Sequence, residues 1–437
     1  MKKILLWSGG ILIFLILGVG YLFFFYPDEE LKSFKELELN LPNISEEENG
    51  YKYLIQAYEA FKLPEAVEAI DYGLESDGKV EMSEIAELFA PAEEDDYGKL
   101  MSQIYGESGE LVDLESMPDF YPFLKLNSEA LILMDKANEF DYIIQDFDLA
   151  NTDLNYLVSR GLMIENSIAA DRLLVYRALY TLQQGDQNRA MERIFALIDF
   201  HNKKLLFPNS LIGYLMNNAS IKSVFDVLDL VLETGDLSKE DYQKLLNYLN
   251  DFEPNFTTGW ENAVKIEFNT NMNYITALKK IGETSGGFFD KSRFHFQVNK
   301  TKNAFAERFK KMIDDPFYSF EEEDSLLMRK GSSMLFSQNS VGKAIMYGFL
   351  PSLFGCKPFI TTFDFNSMRL LVAIKLYEIE NGEVPDRLED LVPGYFEDLE
   401  WLDFNGERMI NYKPTGILYS DFLVKNCNDE KSVKLLK

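Results

Sequence analysis

The sequence predicts a mainly α protein: an N-terminal transmembrane helix, a helical-repeat-like body (an α-solenoid or an irregular helical array) and a small α+β module at the C-terminus. Three observations predict it. Residues 4–26 form an apolar run without a charge. From about residue 51 to 331, apolar residues recur at helical spacing between short polar turns. After Pro393-Gly394 the pattern changes to short β-like runs on either side of Pro414-Thr415-Gly416. The expected organisation is an anchor at 1–26, an acidic stalk at 27–50, a helical body at 51–331 and the C-terminal module at 332–437.

As a helix rising 1.5 Å per residue, Ile4 to Tyr26 covers roughly 34 Å, enough for a bilayer core. Lys2 and Lys3 precede it, and Asp28, Glu29 and Glu30 follow. The positive-inside bias then keeps the N-terminus in the cytoplasm and places the rest outside, as a single-pass inner-membrane protein. A cleavable signal peptide is the competing reading. It calls for an apolar core of about 7–15 residues and a small-x-small site, which LFFFYPDEE does not offer.

Residues 27–50 carry eight carboxylates against two lysines and are broken by Pro42. They are expected to stand off the lipid headgroups. The ordered body then begins with YKYLIQAYEAF, which reads as helix. Asp171 to Gln184 and Arg189 to Phe200 read as an antiparallel helix pair turning at Gly185-Asp186. Further helices are expected over Leu211–Glu233, from Thr258 towards Ile281, and over Asn299–Ile313. Ser238 is an N-cap candidate with Asp241 three residues on, ahead of an apolar face of Tyr242, Leu245, Leu246, Leu249 and Phe252. Ser285-Gly286-Gly287 reads as a loop.

The character changes near Phe363. Asn366 to Glu380 reads as a helix with Leu370, Ile374 and Tyr377 on one face, stopped at Asn381-Gly382. A short helix in PDRLEDL has Asp386 and Glu389 at capping-box spacing. ERMINYK and ILYSDFL read as a hairpin against which the preceding helix packs.

Composition narrows the function. A formal charge of −29, from 43 basic and 72 acidic residues, repels nucleic acid and anionic lipid surfaces and argues against either as a general partner. The 46% hydrophobic and 14% aromatic content exclude general disorder. The two cysteines, Cys356 and Cys427, could be joined in an exported domain or stay as free thiols; sequence leaves both open.

No catalytic or cofactor motif emerges. His201 and His295, the only histidines, lack neighbours at ligand spacing and read as surface or helix-end residues. Gly73 to Glu84 resembles a calcium-binding helix–loop–helix loop at Asp77, Gly78, Glu81 and Glu84. Gly73 stands where the first carboxylate belongs, so no metal is expected there. The basic-aromatic island from Phe288 to Lys311 could meet lipid headgroups or an acidic partner; the plainer reading pairs its charges with acids elsewhere on the body. The run from Ala344 to Cys356 reads as buried core.

Ala373-Ile374, Tyr377, Asn381-Gly382, Pro385, Leu388, Leu391, Pro393, Tyr395, Asp403-Phe404-Asn405-Gly406, Tyr412 and Leu418-Tyr419-Ser420 form a pattern over the last 75 or so residues. It resembles the globular part of the major pseudopilins of type II secretion. That resemblance implies a helix, a loop helix, a D-x-x-G turn and an antiparallel sheet. The whole chain also resembles uncharacterised bacterial membrane-anchored proteins, through Gly185-Asp186, Ala190 and a helix at Asn339-Ser340-Val341-Gly342. MKKILLWSGG lacks the prepilin-peptidase pattern of true pseudopilins.

The function these features favour is a membrane-anchored extracytoplasmic scaffold of the cell envelope: held in the membrane through residues 4–26, engaging a protein partner, and needing no cofactor. The alternatives are an envelope hydrolase using a carboxylate pair, or a pseudopilin-like secretion component.

Overall fold

Gly185 and Asp186 reverse the chain between two long helices, and the rest of the body assembles on that pair. Gly185 takes the left-handed φ of 75°, and the Asp186 side chain accepts the backbone N–H of Arg189 at 3.1 Å, capping the second helix. In the computed structural model, residues 28–62, 117–145, 164–208, 210–234, 237–285, 296–315, 317, 339, 355–404, 406–414, 417–427 and 433–435 are described. The predicted anchor at 4–26, the loop Gly73–Glu84, His295 and most of the run 344–356 lie outside them. Among the described residues no helix is long and apolar enough to cross a membrane.

The helices are α1 (Tyr51–Ala60), α2 (Tyr121–Leu126), α3 (Ser128–Asn138), α4 (Ile164–Gln183), α5 (Gln187–Leu206), α6 (Leu211–Thr234), α7 (Lys239–Asp251), α8 (Phe256–Ser285), α9 (Val298–Asp314), α10 (Lys357–Asn381) and α11 (Asp421–Cys427). The fold is thus mainly helical, with its short strands confined to the C-terminal part. Helix α6 lies at the centre and packs on α4, α5, α8 and α10, while α1 packs on α3. Trp260, Phe256 and Tyr214 are buried where α8 crosses α5 and α6; each such side chain contributes roughly 1.5–3 kcal/mol. The Tyr214 hydroxyl is satisfied by the Phe256 carbonyl at 2.9 Å. A Cβ at Gly259 would overlap the Leu205 carbonyl oxygen, so glycine permits the close approach of α8 to α5.

Several local expectations hold. Ser238 and Asp241 form a reciprocal capping box, and Tyr242, Leu245, Leu246 and Leu249 are buried behind it. Gly382, at φ 79°, stops α10. Ser285, expected in a loop, is the last residue of α8.

The C-terminal part departs from expectation in several ways. Helix α10 starts at Lys357, nine residues before Asn366, with Pro358 in its first turn. It is buried on several sides, packing on α6, α7 and α8, so one hydrophobic core runs through the body and the module. The predicted hairpin is present as β3 (Asn411–Lys413) against β4 (Ile417–Tyr419). The end of the expected strand, Asp421 to Leu423, instead opens helix α11, begun by the Ser420 hydroxyl accepting the Leu423 N–H at 3.1 Å. A second hairpin pairs β1 (Asp403–Phe404) with β2 (Glu407–Arg408) around left-handed Gly406, and β5 (Val433–Leu435) completes the three-stranded sheet. PDRLEDL forms a 3-10 turn at Leu388–Leu391, held by Arg387 and Asp390 rather than by Asp386.

Cys356 and Cys427 are joined, with Cα atoms 5.7 Å apart, tying the start of α10 to the end of α11. Phe359, Phe404, Phe422 and Phe317 meet beside them, with ring centroids 4.5–5.7 Å apart across the closest pairs.

The acidic segment after the expected anchor does not stand free. Asp28 to Leu37 is laid along α9 as a strap. Asn303 clasps its backbone: Nδ2 donates to the Glu30 carbonyl at 2.8 Å, and Oδ1 accepts the Lys32 N–H at 2.9 Å. Lys300 and Lys310, from the basic island, pair with Glu29 and Glu36 of the strap. Leu37 is fully buried. The expected helix at Asn339 is seen only at that residue, which is buried in a turn at φ 55° and bonded to Thr301 and the Gln297 N–H.

Candidate functional site

Four cationic side chains border one groove. On α4, Arg177, Tyr180 and Thr181 follow each other at i, i+3 and i+4 and so share a face, with Gln184 just past its end. On α5, Arg189 and Arg193 are four residues apart and turn the same way. Tyr121 and Lys125 of α2 close the third side. The cavity between them holds about 340 Å³, the size of a small-ligand or peptide side-chain pocket. Among the described residues, Asp186 is its only carboxylate lining.

Each cation is held differently. Arg177 forks onto Asp135 of α3 with two contacts of 2.6 Å, and its Nε is buried without a partner. Arg193 reaches across the hairpin, donating from Nη1 to the Arg177 carbonyl at 2.9 Å and to the Thr181 hydroxyl. Burial, then the neighbouring Arg177 and Arg189 guanidiniums, hold Arg193 below the usual arginine value. Arg189 and Lys125 are exposed, and neither has a carboxylate partner among the described residues. Tyr121 and Tyr180 lie 6.0 Å apart at the rim, with Lys125 Nζ 6.0 Å from the Tyr121 ring. Guanidinium groups and aromatic faces thus line one groove, a combination that suits planar anionic groups.

The sequence reading took the α4–α5 hairpin for its turn and missed this arrangement. The available signal was Arg177 in phase with Tyr180 and Gln184, and Arg189 in phase with Arg193. An overall charge of −29 hides such a local excess.

A second polar cluster is closed. Lys204 of α5 pairs with Asp171 of α4 and donates to the Tyr58 hydroxyl at 2.9 Å, which in turn donates to Asp171 at 3.1 Å. Burial pushes the Asp171 carboxyl up against the pull of Lys204. His201, expected at the surface or at a helix end, is fully buried beside Lys204 and against Phe200, and neither ring nitrogen has a partner among the described residues. Burial, and to a lesser degree Lys204, hold its pKa far below the ordinary value, so the ring is neutral. Its position explains the misreading: Leu197, Ile198 and Leu205 are on the same apolar face of α5. A raised carboxyl facing a lysine is not the paired-carboxylate arrangement of a glycoside hydrolase.

Among the described residues no group of histidine, cysteine and carboxylate side chains could hold a metal ion. No protein-family model, curated protein or solved structure matches the chain.

Proposed function

We propose that this chain is a membrane-anchored scaffold of the cell envelope, with its body outside the cytoplasm, whose α4–α5 groove takes an acidic segment of a protein partner. The observation that carries the reading is the meeting of Lys125, Arg177, Arg189 and Arg193 around one cavity in a strongly acidic chain. Such a local reversal of sign steers an acidic partner towards the groove. Exposed Tyr121 and half-buried Tyr180 at the rim supply rigid contact area of the kind found at interfaces. The anchor reading rests on residues 4–26, and the Cys356–Cys427 bridge suits an oxidising compartment.

A hydrolase reading has less support, since the buried carboxyl Asp171 is paired with Lys204. Pilus-type assembly is not proposed, because α10 is packed into the centre of the body.

Titration of a labelled glutamate-rich peptide into the full chain in lipid nanodiscs tests the groove. Binding should weaken with salt, and Arg189→Ala and Lys125→Ala should each lower affinity and flatten that salt dependence. Equal affinity for a lysine-rich peptide, or no change in either variant, would overturn the assignment.

A further inference from the structure

The strap fixes which end of the body lies nearest residues 4–26. Tyr26 is two residues from Asp28, a reach of at most about 7 Å. Asp28 is bound to the first turn of α9: its Oδ2 accepts the Asn299 N–H at 2.8 Å and its Oδ1 the Lys300 N–H at 3.1 Å. Asn299 Nδ2 donates back to the Glu29 carbonyl at 2.9 Å. The last turns of α8 lie at the same end, because α8 and α9 run antiparallel. Lys302 Nζ donates to the Thr276 hydroxyl at 2.7 Å, while Phe309, further along α9, meets Phe268, further back along α8, edge to face.

We infer that the pole formed by the end of α8 and the start of α9 rests on the bilayer surface, so that the partner this surface fits is a layer of lipid headgroups. Lys279 and Lys280 are exposed there, and basic side chains favour an anionic leaflet. Leu31, 57% exposed on the strap, is placed to enter the interface. The far end of α8, near Glu253, then stands roughly 40 Å away along a helix rising 1.5 Å per residue. This inference rests on residues 4–26 being the anchor.

The test uses the full chain in vesicles containing phosphatidylglycerol and headgroup-nitroxide lipid. A bimane is placed at Lys280→Cys or at Glu253→Cys; Cys356 and Cys427 are bridged and do not label. Fluorescence should be lost at position 280 and retained at 253. Asp28→Ala combined with Asn303→Ala, which frees the strap, should reduce the difference. If the chain floats with vesicles but both positions are quenched alike, or 253 more, the pole is wrong while the anchor stands. If the chain does not float, the anchor reading fails and takes the pole with it.

Discussion

Asp28 caps a helix that begins 270 residues further along the chain: its carboxylate accepts the backbone N–H of Asn299 at 2.8 Å. The residue preceding α9, Gln297, supplies no side-chain cap of its own, so the strap satisfies N–H groups that the local sequence leaves open.

Removing that cap has a defined cost. Asp28→Ala should destabilise the chain by about 1 kcal/mol, and Asp28→Asn by less, since asparagine also accepts at an N-cap. Chemical denaturation followed by helical circular dichroism checks this; equal effects of the two substitutions would point to charge rather than capping.

His201 makes stability pH-dependent in a stated direction. Its folded pKa is depressed far below the unfolded value of about 6.5, so the unfolded chain binds the proton first. The contribution is complete above pH 6.5 and is lost as pH falls below it, by up to about 1.4 kcal/mol per pH unit. His201→Leu should remove that slope. The quantity to measure is the difference between wild type and variant from pH 7.5 to 5; a constant difference contradicts the account.

The Lys204–Asp171 pair should respond asymmetrically. Lys204→Met alone leaves the buried Asp171 without its counter-ion and should cost about 3–5 kcal/mol. Adding Asp171→Leu should recover most of that loss. Additive losses in the double variant would show that the pair contributes more than mutual compensation.

Arg369 joins the body to the C-terminal part. Its guanidinium carbon lies 4.0 Å from the Trp401 ring centroid, and Nη2 donates to Asn250 Oδ1 at 3.0 Å. Burial lowers its pKa to about 10. Arg369→Lys loses the planar stack and should cost about 1–2 kcal/mol, with increased proteolysis after residue 381 as the local readout.

What the sequence disclosed follows from interaction range. Ser238 with Asp241, Gly185 with Asp186, and Gly382 act within a few residues, and their local chemistry forecast their structure. Helix α10 starts nine residues before the expected Asn366, although Pro358 marked a helix start. Ser420 was a legible cap inside ILYSDFL, a run whose composition reads as one strand. The groove and the strap were not legible: Arg177 meets Asp135 forty-two residues away, and Asp28 meets Asn299 across most of the chain. No local pattern encodes those pairings.

The disulfide, the groove's partner and the membrane-facing pole all depend on one claim, that residues 4–26 hold the body on the outer side of a membrane. A reporter enzyme active only outside the cytoplasm, fused after Lys437, measures it directly. The account predicts an active reporter that stays with membranes after a high-salt wash. Activity confined to a cytoplasmic reporter, or release of a shortened soluble chain, would contradict it.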